Sequence, residues 1–98
     1  MIFHCSFLGR LWKYGGKTSW WFISLPVKDA EDLDRFCSHR KRSFGSIRVT
    51  ANIGETSWQT SLFRDTKSNT YLLPVKAKVR SKEKLVEENS YQVTISVE

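Results

Sequence analysis

The sequence has little of several features that mark particular protein classes. It contains only two cysteines, Cys5 and Cys37, which cannot form the disulfide framework of a small secreted domain and which fit a reducing cytoplasm. Its longest wholly apolar run, 20–23, is far shorter than the stretch of about 20 residues that spans a bilayer. We do not expect the N-terminal stretch to be a signal peptide, because Arg10 and Lys13 interrupt its apolar residues. We therefore expect a cytoplasmic protein without a membrane partner.

Apolar and aromatic residues, in contrast, are plentiful for a chain of this length. Of the 98 residues, 40% are hydrophobic and 13% are aromatic, including four Trp and six Phe. These residues are enough to form one packed core, and a chain of this length is too short to form two. We expect a single domain over residues 1–98, present as a monomer or a weak dimer.

Basic residues outnumber acidic ones, and both are unevenly distributed. The net charge is +6 and the isoelectric point is about 9.6, which favours an anionic partner. The segment 35–48 holds five basic residues and no acid, and 76–84 holds five basic residues and one acid. Four acids lie together within 29–34.

Alternation of apolar and polar residues predicts strands at 2–12, 46–53, 57–63 and 91–97, and two apolar runs that end at a proline predict two more, at 19–25 and 70–73. In the fourth strand Trp58, Thr60 and Leu62 share one face. The second strand is apolar and aromatic almost throughout, which predicts burial on both faces. Turns are predicted at 14–17, 54–55, 65–69 and 88–89, with Asn69 in the left-handed conformation.

Two helices are predicted, each after a proline that ends a strand. The first covers 28–38, with Asp29 as a capping residue. The second, at 76–84, is ambiguous, because Val75, Ala77 and Val79 alternate like a strand while Val75 and Val79 are also spaced like a helix. The parallel with the first half favours the helix.

A tetrapeptide repeat organises this order of elements. Leu25-Pro26-Val27-Lys28 recurs as Leu73-Pro74-Val75-Lys76, each time after a strand and before a charged segment. The sequence therefore predicts a mainly β fold: a small closed six-stranded barrel of two pseudo-symmetric halves with two short helices. Closure would also remove exposed edge strands.

Part of the second half resembles the swapped-hairpin barrels of the AbrB type. The shared features are Tyr71-Leu-Leu-Pro74, the pair Val79-Arg80, and Leu85 ahead of a turn and an alternating strand. In that family two chains close one barrel. The resemblance therefore implies that this chain is a fused version with two units.

Nearly the whole chain resembles a bacterial family of uncharacterised domains, found alone or joined to OmpD-associated or bacteriocin-protection proteins. The matching motifs are Trp20-x-Phe22 with Leu25-Pro26, Phe44-Gly45-Ser46-x-Arg48-Val49, Trp58-x-Thr60-Ser61-Leu62-Phe63 and the run over 71–80. The departures are Arg64 for a frequent Pro, Asn69 for Gly, and Asn89-Ser90 for a Gly-Asp turn. Asn tolerates the left-handed conformation, so the turns should survive. The resemblance implies a β-barrel fold and no established activity.

No combination of side chains in the sequence predicts a metal site or an active site. His4, Cys5, Cys37 and His39 are zinc ligand types, but their spacing is wrong, since His4 and Cys5 point to opposite faces of a strand. Neither Ser61 beside Thr60 nor Cys37 near His39 has a third group to orient a catalytic base. We expect no catalysis and no cofactor.

A binding role is the default prediction, with a protein or a small anionic ligand as partner. One cationic mouth of the barrel would suit a carboxylate or phosphate and is expected to gather Thr60, Ser61, Arg64, Lys76 and Arg80. The competing interpretation, which we favour, is that Lys76 and Arg80 form ion pairs with Glu87, Glu88 or Asp65.

Nucleic-acid binding is the alternative function. Its candidate phosphate contacts are Arg40, Lys41, Arg42, Arg48, Lys78 and Lys82, and exposed aromatic residues could stack on bases. Two observations oppose it. The first predicted helix is acidic whereas the second is basic, and the Trp residues lie mostly in apolar runs typical of a core.

Overall fold

The computed structural model describes residues 2–15, 20–37 and 46–97. Within them lie β1 (Phe3–Tyr14), β2 (Trp20–Ser24), α1 (Val27–Phe36), β3 (Ser46–Ile53), β4 (Thr56–Asp65), β5 (Thr70–Pro74), α2 (Ala77–Lys82) and β6 (Ser90–Val97). The strands close into a barrel in the order β1-β2-β5-β4-β3-β6, with antiparallel pairing at every step. The predicted closed six-stranded barrel with two short helices is confirmed.

Side-chain alternation along the strands builds the core. Every second residue of β3, from Ile47 to Ile53, is buried, and the same holds for the second half of β6. Trp58 and Leu62 are buried on the inner face of β4, as predicted. Burial of these apolar side chains supplies the main stabilisation of the fold.

The second strand does not follow the prediction of burial on both faces. In β2, Ile23 is buried, but Trp20 is half exposed and Phe22 is partly exposed on the outer face. The prediction was wrong because β2 is part of a single closed wall, which has one face towards the core and one towards solvent.

Glycine at position 9 allows β1 and β2 to share the crowded inner face of the barrel. Gly9 is buried between Phe7 and Leu11, and a Cβ atom there would overlap the side chain of Ile23. Any larger residue would have to displace Ile23, which is itself fully buried.

The predicted turns at 54–55, 65–69 and 88–89 are present. Gly54, Asn69 and Glu88 have φ angles of 60°, 58° and 75°, which confirms Asn69 as a left-handed residue. Of the turn predicted at 14–17, residues 16 and 17 lie outside the described residues. Beside Gly54, the Thr56 hydroxyl donates a hydrogen bond to Glu83 Oε2 at 2.5 Å, which ties the β3–β4 turn to the end of α2.

Helix α1 closes one end of the barrel by burying Ala30 and Leu33. The expectation that Asp29 caps this helix was wrong. Pro26 occupies the N-cap position without a side-chain cap, and Asp29 lies in the first turn, where a carboxylate is favourable to the helix dipole. Phe36 at the far end of the helix packs against Phe3, with ring centroids 5.4 Å apart.

Helix α2 confirms the helical interpretation of the ambiguous second segment, but over fewer residues than predicted. Only Val79 is buried among its six residues. The helix stops early because Lys84 adopts a φ of 55°, and Leu85 N then donates to the Arg80 carbonyl at 2.9 Å. Neither described helix is long and apolar enough to cross a membrane.

The offset of the tetrapeptide repeat differs from the offset that relates the paired strands β2 and β5. Ile23 of β2 pairs with Leu73 of β5. Two residues from this pair, Leu25 N donates to the Tyr71 carbonyl on one side, and Val75 N donates to the Trp21 carbonyl on the other. An exchange of β2 with β5 that swaps Ile23 and Leu73 also swaps these two hydrogen bonds. That exchange also relates Val27 and Ala77, the first residues of the two helices. The sequence offset between the two tetrapeptides is two residues shorter than the offset from Ile23 to Leu73 and from Val27 to Ala77.

The two prolines therefore occupy different positions: Pro26 precedes α1, whereas Pro74 pairs with Phe22 as the last residue of β5. The prolines mark the two helix entries without being equivalent to each other. The superposition of the two halves by a half-turn stays a prediction.

Candidate anion-binding pocket

A pocket of about 420 Å³ lies at the end of the barrel where α2 begins. Because β2 and β5 are antiparallel, the helices that follow them start at opposite ends of the barrel, α1 at one and α2 at the other. We call this depression the α2 pocket. The lining side chains used below are Trp20, Trp21, Trp58, Thr60, Lys76 and Arg80.

Arg80 is held against the aromatic wall of the α2 pocket. Its guanidinium carbon lies 4.7 Å from the ring centroid of Trp21, and its Nε donates to the Val75 carbonyl at 3.1 Å. The two Nη atoms form no hydrogen bond or ion pair with any other described residue. These two contacts hold the guanidinium at the pocket wall and leave its outer N–H groups available for a bidentate contact with an oxyanion.

Other side chains add positive charge to the same end, and one buried indole N–H there has no partner. Lys76 is an exposed side chain in the pocket lining, and Lys13 Nζ lies 5.7 Å from the Trp21 ring centroid. Trp58 is 7% exposed, and its Nε1 is buried without a hydrogen-bond partner in the described part of the chain. A buried indole N–H without a partner is uncommon and calls for an explanation.

The opposite end, under α1, is neutralised by its own acid. The Tyr71 hydroxyl donates to Asp34 Oδ1 at 2.6 Å, and Arg64 lies 3.6 Å from Asp34 Oδ2 and 5.2 Å from the Tyr71 ring centroid. Burial, followed by the hydrogen bond to Asp34, raises the pKa of Tyr71 well above its usual value near 10. This end is an internally satisfied cluster.

The residues at matching positions of the two helices differ in charge. Counted from the first residue of each helix, Arg80 stands at the position of Ala30, and Lys84, beyond the end of α2, stands at the position of Asp34. Where α1 has a small apolar residue, Ala30, and an acid, Asp34, the second helix region has two cations, Arg80 and Lys84. The α2 pocket keeps a positive charge because its helix is short and carries no acid.

The structure brings together only part of the predicted cationic mouth. Thr60, Lys76 and Arg80 line the α2 pocket, but Ser61 and Arg64 do not. Ser61 faces the other side of β4, because neighbouring residues of a strand alternate. Arg64 lies further along the same strand, at the α1 end, where it pairs with Asp34.

The prediction that Lys76 and Arg80 form ion pairs with Glu87, Glu88 or Asp65 was wrong. Among the described residues, Glu88 pairs with Arg10, and Asp65 accepts a hydrogen bond from Ser68 at 2.5 Å. Glu88 and Asp65 are thus engaged elsewhere, and among the described residues no ion pair joins Glu87 to Lys76 or Arg80.

The predicted phosphate-contacting residues separate into different places. Lys78 and Lys82 join Lys76 and Trp58 around a second depression of about 210 Å³, which we call the lysine pocket. Arg48 lies apart from it, on the outer face of β3. The predicted basic loop residues Arg40, Lys41 and Arg42 lie outside the described residues.

An exposed aromatic groove was missed by the sequence analysis. The groove, of about 340 Å³, crosses the outer face of four strands and is lined by Tyr14, Trp20, Phe22, Phe63 and Leu72. The Trp20 and Phe22 rings stack at 6.1 Å with an angle of 8° between their planes. The expectation of core packing therefore holds for Trp58 and fails for Trp20, which is 50% exposed. The apolar sequence of β2 gave no signal that Trp20 lies on the outer face.

The described cysteine and acid side chains do not assemble a metal site. Among residues 2–15, 20–37 and 46–97 there is no group of three or more His, Cys, Asp or Glu side chains placed to hold a metal ion. Burial, and then the charges of Asp29 and Asp32, raise the pKa of Cys5 to about 11. A thiol with so high a pKa is a poor nucleophile near neutral pH.

Together these features define a small closed antiparallel β-barrel with a cationic, tryptophan-lined pocket at one end. Comparison with known protein families identifies the relatives of such a chain. The model of a domain of unknown function (DUF1905) matches residues 7–95, and the protein belongs to this family. A search of curated proteins found no match. The resemblance to an uncharacterised β-barrel family is thereby confirmed.

Proposed function

We propose that the protein is a non-enzymatic binding module whose α2 pocket takes a carboxylate or phosphate group. The observation that carries the proposal is the position of Arg80, which lies over the Trp21 ring while neither of its Nη atoms is bonded to another described residue. Pre-orientation of the guanidinium lowers the entropy that a ligand must lose to form a bidentate contact.

The other lining groups support the same chemistry. Lys76 adds an exposed positive charge, and the Thr60 hydroxyl is a further hydrogen-bond donor at the pocket. A volume of about 420 Å³ falls in the range of small-ligand sites. An anion bound here would accept charge-assisted hydrogen bonds from Arg80, and no acid within α2 competes for them.

Tryptophan fluorescence gives a direct test, because three of the four Trp residues line the pocket. Inorganic phosphate and benzoate, titrated at constant ionic strength, are expected to change the emission in a saturable way. Arg80→Gln should weaken binding at least tenfold, since charge-assisted hydrogen bonds contribute about 1.5–3 kcal/mol.

The matched control removes the same charge from the other helix. Arg35→Gln breaks the exposed pair between Arg35 and Asp32 and should leave the affinity within about twofold of the wild type. Equal effects of the two substitutions would reduce the result to general electrostatics. An unchanged affinity in Arg80→Gln, with an unchanged melting temperature, would refute the proposal.

Nucleic acid is a second candidate ligand, favoured by the lysine pocket. Lys76 borders both this pocket and the α2 pocket, so Lys78 and Lys82 extend the cationic surface beyond one anion site. Binding to a fluorescent oligonucleotide should then fall steeply with salt as counterions are released. No change in anisotropy at low salt would eliminate this candidate.

A further inference from the structure

The lysine pocket, the α2 pocket and the aromatic groove adjoin one another. Trp58 and Lys76 line both the lysine pocket and the α2 pocket. Trp20 lines both the α2 pocket and the aromatic groove. Because each neighbouring pair shares a side chain, the three depressions lie next to one another on the surface, and we call them together the track.

The chemistry changes along this track. Its first part is cationic, with Lys78 and Lys82, and its middle holds the stacked guanidinium of Arg80. Its last part is lined by aromatic and aliphatic side chains alone, including Phe22 and Phe63. Phosphates therefore suit one part of the track and flat apolar rings suit the other.

The aromatic groove is a fixed surface. Phe22 is packed between neighbours, with ring centroids 6.1 Å from Trp20 and 5.4 Å from Trp12. Trp12 is itself anchored by a hydrogen bond of 3.0 Å from its Nε1 to Ser24 Oγ. Rings held in this way keep their exposed faces in place, and contiguous apolar patches of this kind on a protein surface usually mark a binding site.

We propose that this track binds single-stranded nucleic acid, with phosphates at Lys76 and Arg80 and bases stacked on Trp20 and along the aromatic groove. The inference rests on the proposed function, since the anion held at Arg80 is taken to be a backbone phosphate. Repeated phosphates joined to flat bases match the sequence of surfaces along the track, and base–aromatic stacking is the common mode of single-strand binding. A duplex hides its base faces and could not use the groove.

Charge separates this occupant from the competing one. A second copy of the chain could cover the aromatic groove, but each copy carries a net charge of +6, and like charges oppose such a contact. Nucleic acid is attracted by the same charge. A small anion, for its part, would fill one depression and leave the other two without an occupant.

Fluorescence anisotropy with three labelled probes tests the inference. The probes are a twelve-residue thymidine oligonucleotide, a twelve-unit abasic phosphate backbone of the same charge, and a duplex of the same length. We expect the thymidine probe to bind at least tenfold more tightly than the abasic backbone and than the duplex, because only the free bases can stack.

Matched variants separate the two parts of the track. Trp20→Ala should weaken thymidine binding at least fivefold and leave abasic binding unchanged, whereas Arg80→Gln should weaken both by a similar factor. Leu8→Ala is the control for Trp20, because Leu8 is also an exposed apolar residue of the outer wall, at 68% exposure, away from the groove. It should bind like the wild type.

Several outcomes would overturn the inference. Equal affinity for the thymidine and abasic probes, or wild-type binding by a folded Trp20→Ala variant, would show that bases do not use the groove. Saturable binding of inorganic phosphate without oligonucleotide binding would refute this inference and keep the proposed function. Concentration-dependent dimerisation in sedimentation, abolished by Trp20→Ala, would assign the groove to a second copy.

Discussion

Replacing Tyr71 with Phe removes a single hydroxyl from the α1 end of the barrel and tests how that end is held closed. Tyr71 is fully buried, and its hydroxyl donates to Asp34 Oδ1 at 2.6 Å across the boundary between β5 and α1. The phenylalanine ring would keep the packing beneath Arg64, whose guanidinium carbon lies 5.2 Å from the ring centroid. The substitution therefore isolates the hydrogen bond from the burial of the ring.

The magnitude follows from the charge of the acceptor. Hydrogen bonds to charged groups contribute about 1.5–3 kcal/mol to stability. Asp34 retains Arg64 at 3.6 Å in the variant, so its carboxylate is not left isolated. We expect Tyr71→Phe to lower the free energy of unfolding by about 1.5–3 kcal/mol at pH 7, which in a domain of this size lowers the melting temperature by about 10 °C.

Urea denaturation monitored by tryptophan fluorescence measures the change, with Tyr14→Phe as the control. Tyr14 is exposed, and loss of its hydroxyl should alter the free energy of unfolding by less than about 0.5 kcal/mol. A Tyr71→Phe variant within 0.5 kcal/mol of the wild type would refute the assigned role of the hydrogen bond.

The pH dependence gives a second, independent check. Burial and the hydrogen bond to Asp34 raise the pKa of Tyr71, so the folded protein keeps the phenol proton where the unfolded chain, with an ordinary pKa near 10, releases it. The stabilisation is fully present below pH 10 and is lost as the pH rises from there towards the folded value. The difference between wild type and Tyr71→Phe should narrow above pH 10, and a difference that widens would contradict the reasoning.

Two further predictions concern Cys5 and Gly54. In a Cys37→Ser background, alkylation of Cys5 by iodoacetamide should be roughly a hundredfold slower at pH 8 than that of a free thiol with the ordinary pKa of 9.0, because its pKa is raised to about 11; a rate like that of the free thiol would contradict this. Gly54→Ala should lower the free energy of unfolding by about 1–2 kcal/mol, because Gly54 has a φ of 60° and the added Cβ would meet Glu83. Gly15→Ala, where the Cβ meets nothing, is the control for chemical denaturation, and equal losses would refute the explanation.

Strand positions were predictable wherever one face of the strand is polar. In β3 and β6 the alternation of apolar and polar residues states which side faces the core, and both strands appear where they were expected. The alternation is absent from β2, whose residues are nearly all apolar, so burial on both faces was predicted and Trp20 was assigned to the core. Only the closed wall shows that Trp20 lies outside.

The candidate site was half predictable for a similar reason. Thr60, Lys76 and Arg80 were named from residue type and lie together, while Ser61 was included although strand alternation alone would place it opposite Thr60. Arg64 in β4 and Arg80 in α2 could not be assigned to different ends of the barrel from the sequence, because residue type alone does not show which end each one occupies. Their separation depends on which end of the barrel each helix covers.

The amino-acid sequence by itself determined the local features of this protein: six strands, two helices, a left-handed Asn69 and an excess of positive charge. These follow from side-chain period, turn chemistry and composition, which act over a few residues. The tertiary structure decided the rest, because it sets which distant residues become neighbours. Antiparallel pairing of β2 with β5 sends the helices to opposite ends, so that Asp34 neutralises one end and Arg80, at the other, has no acidic partner among the described residues.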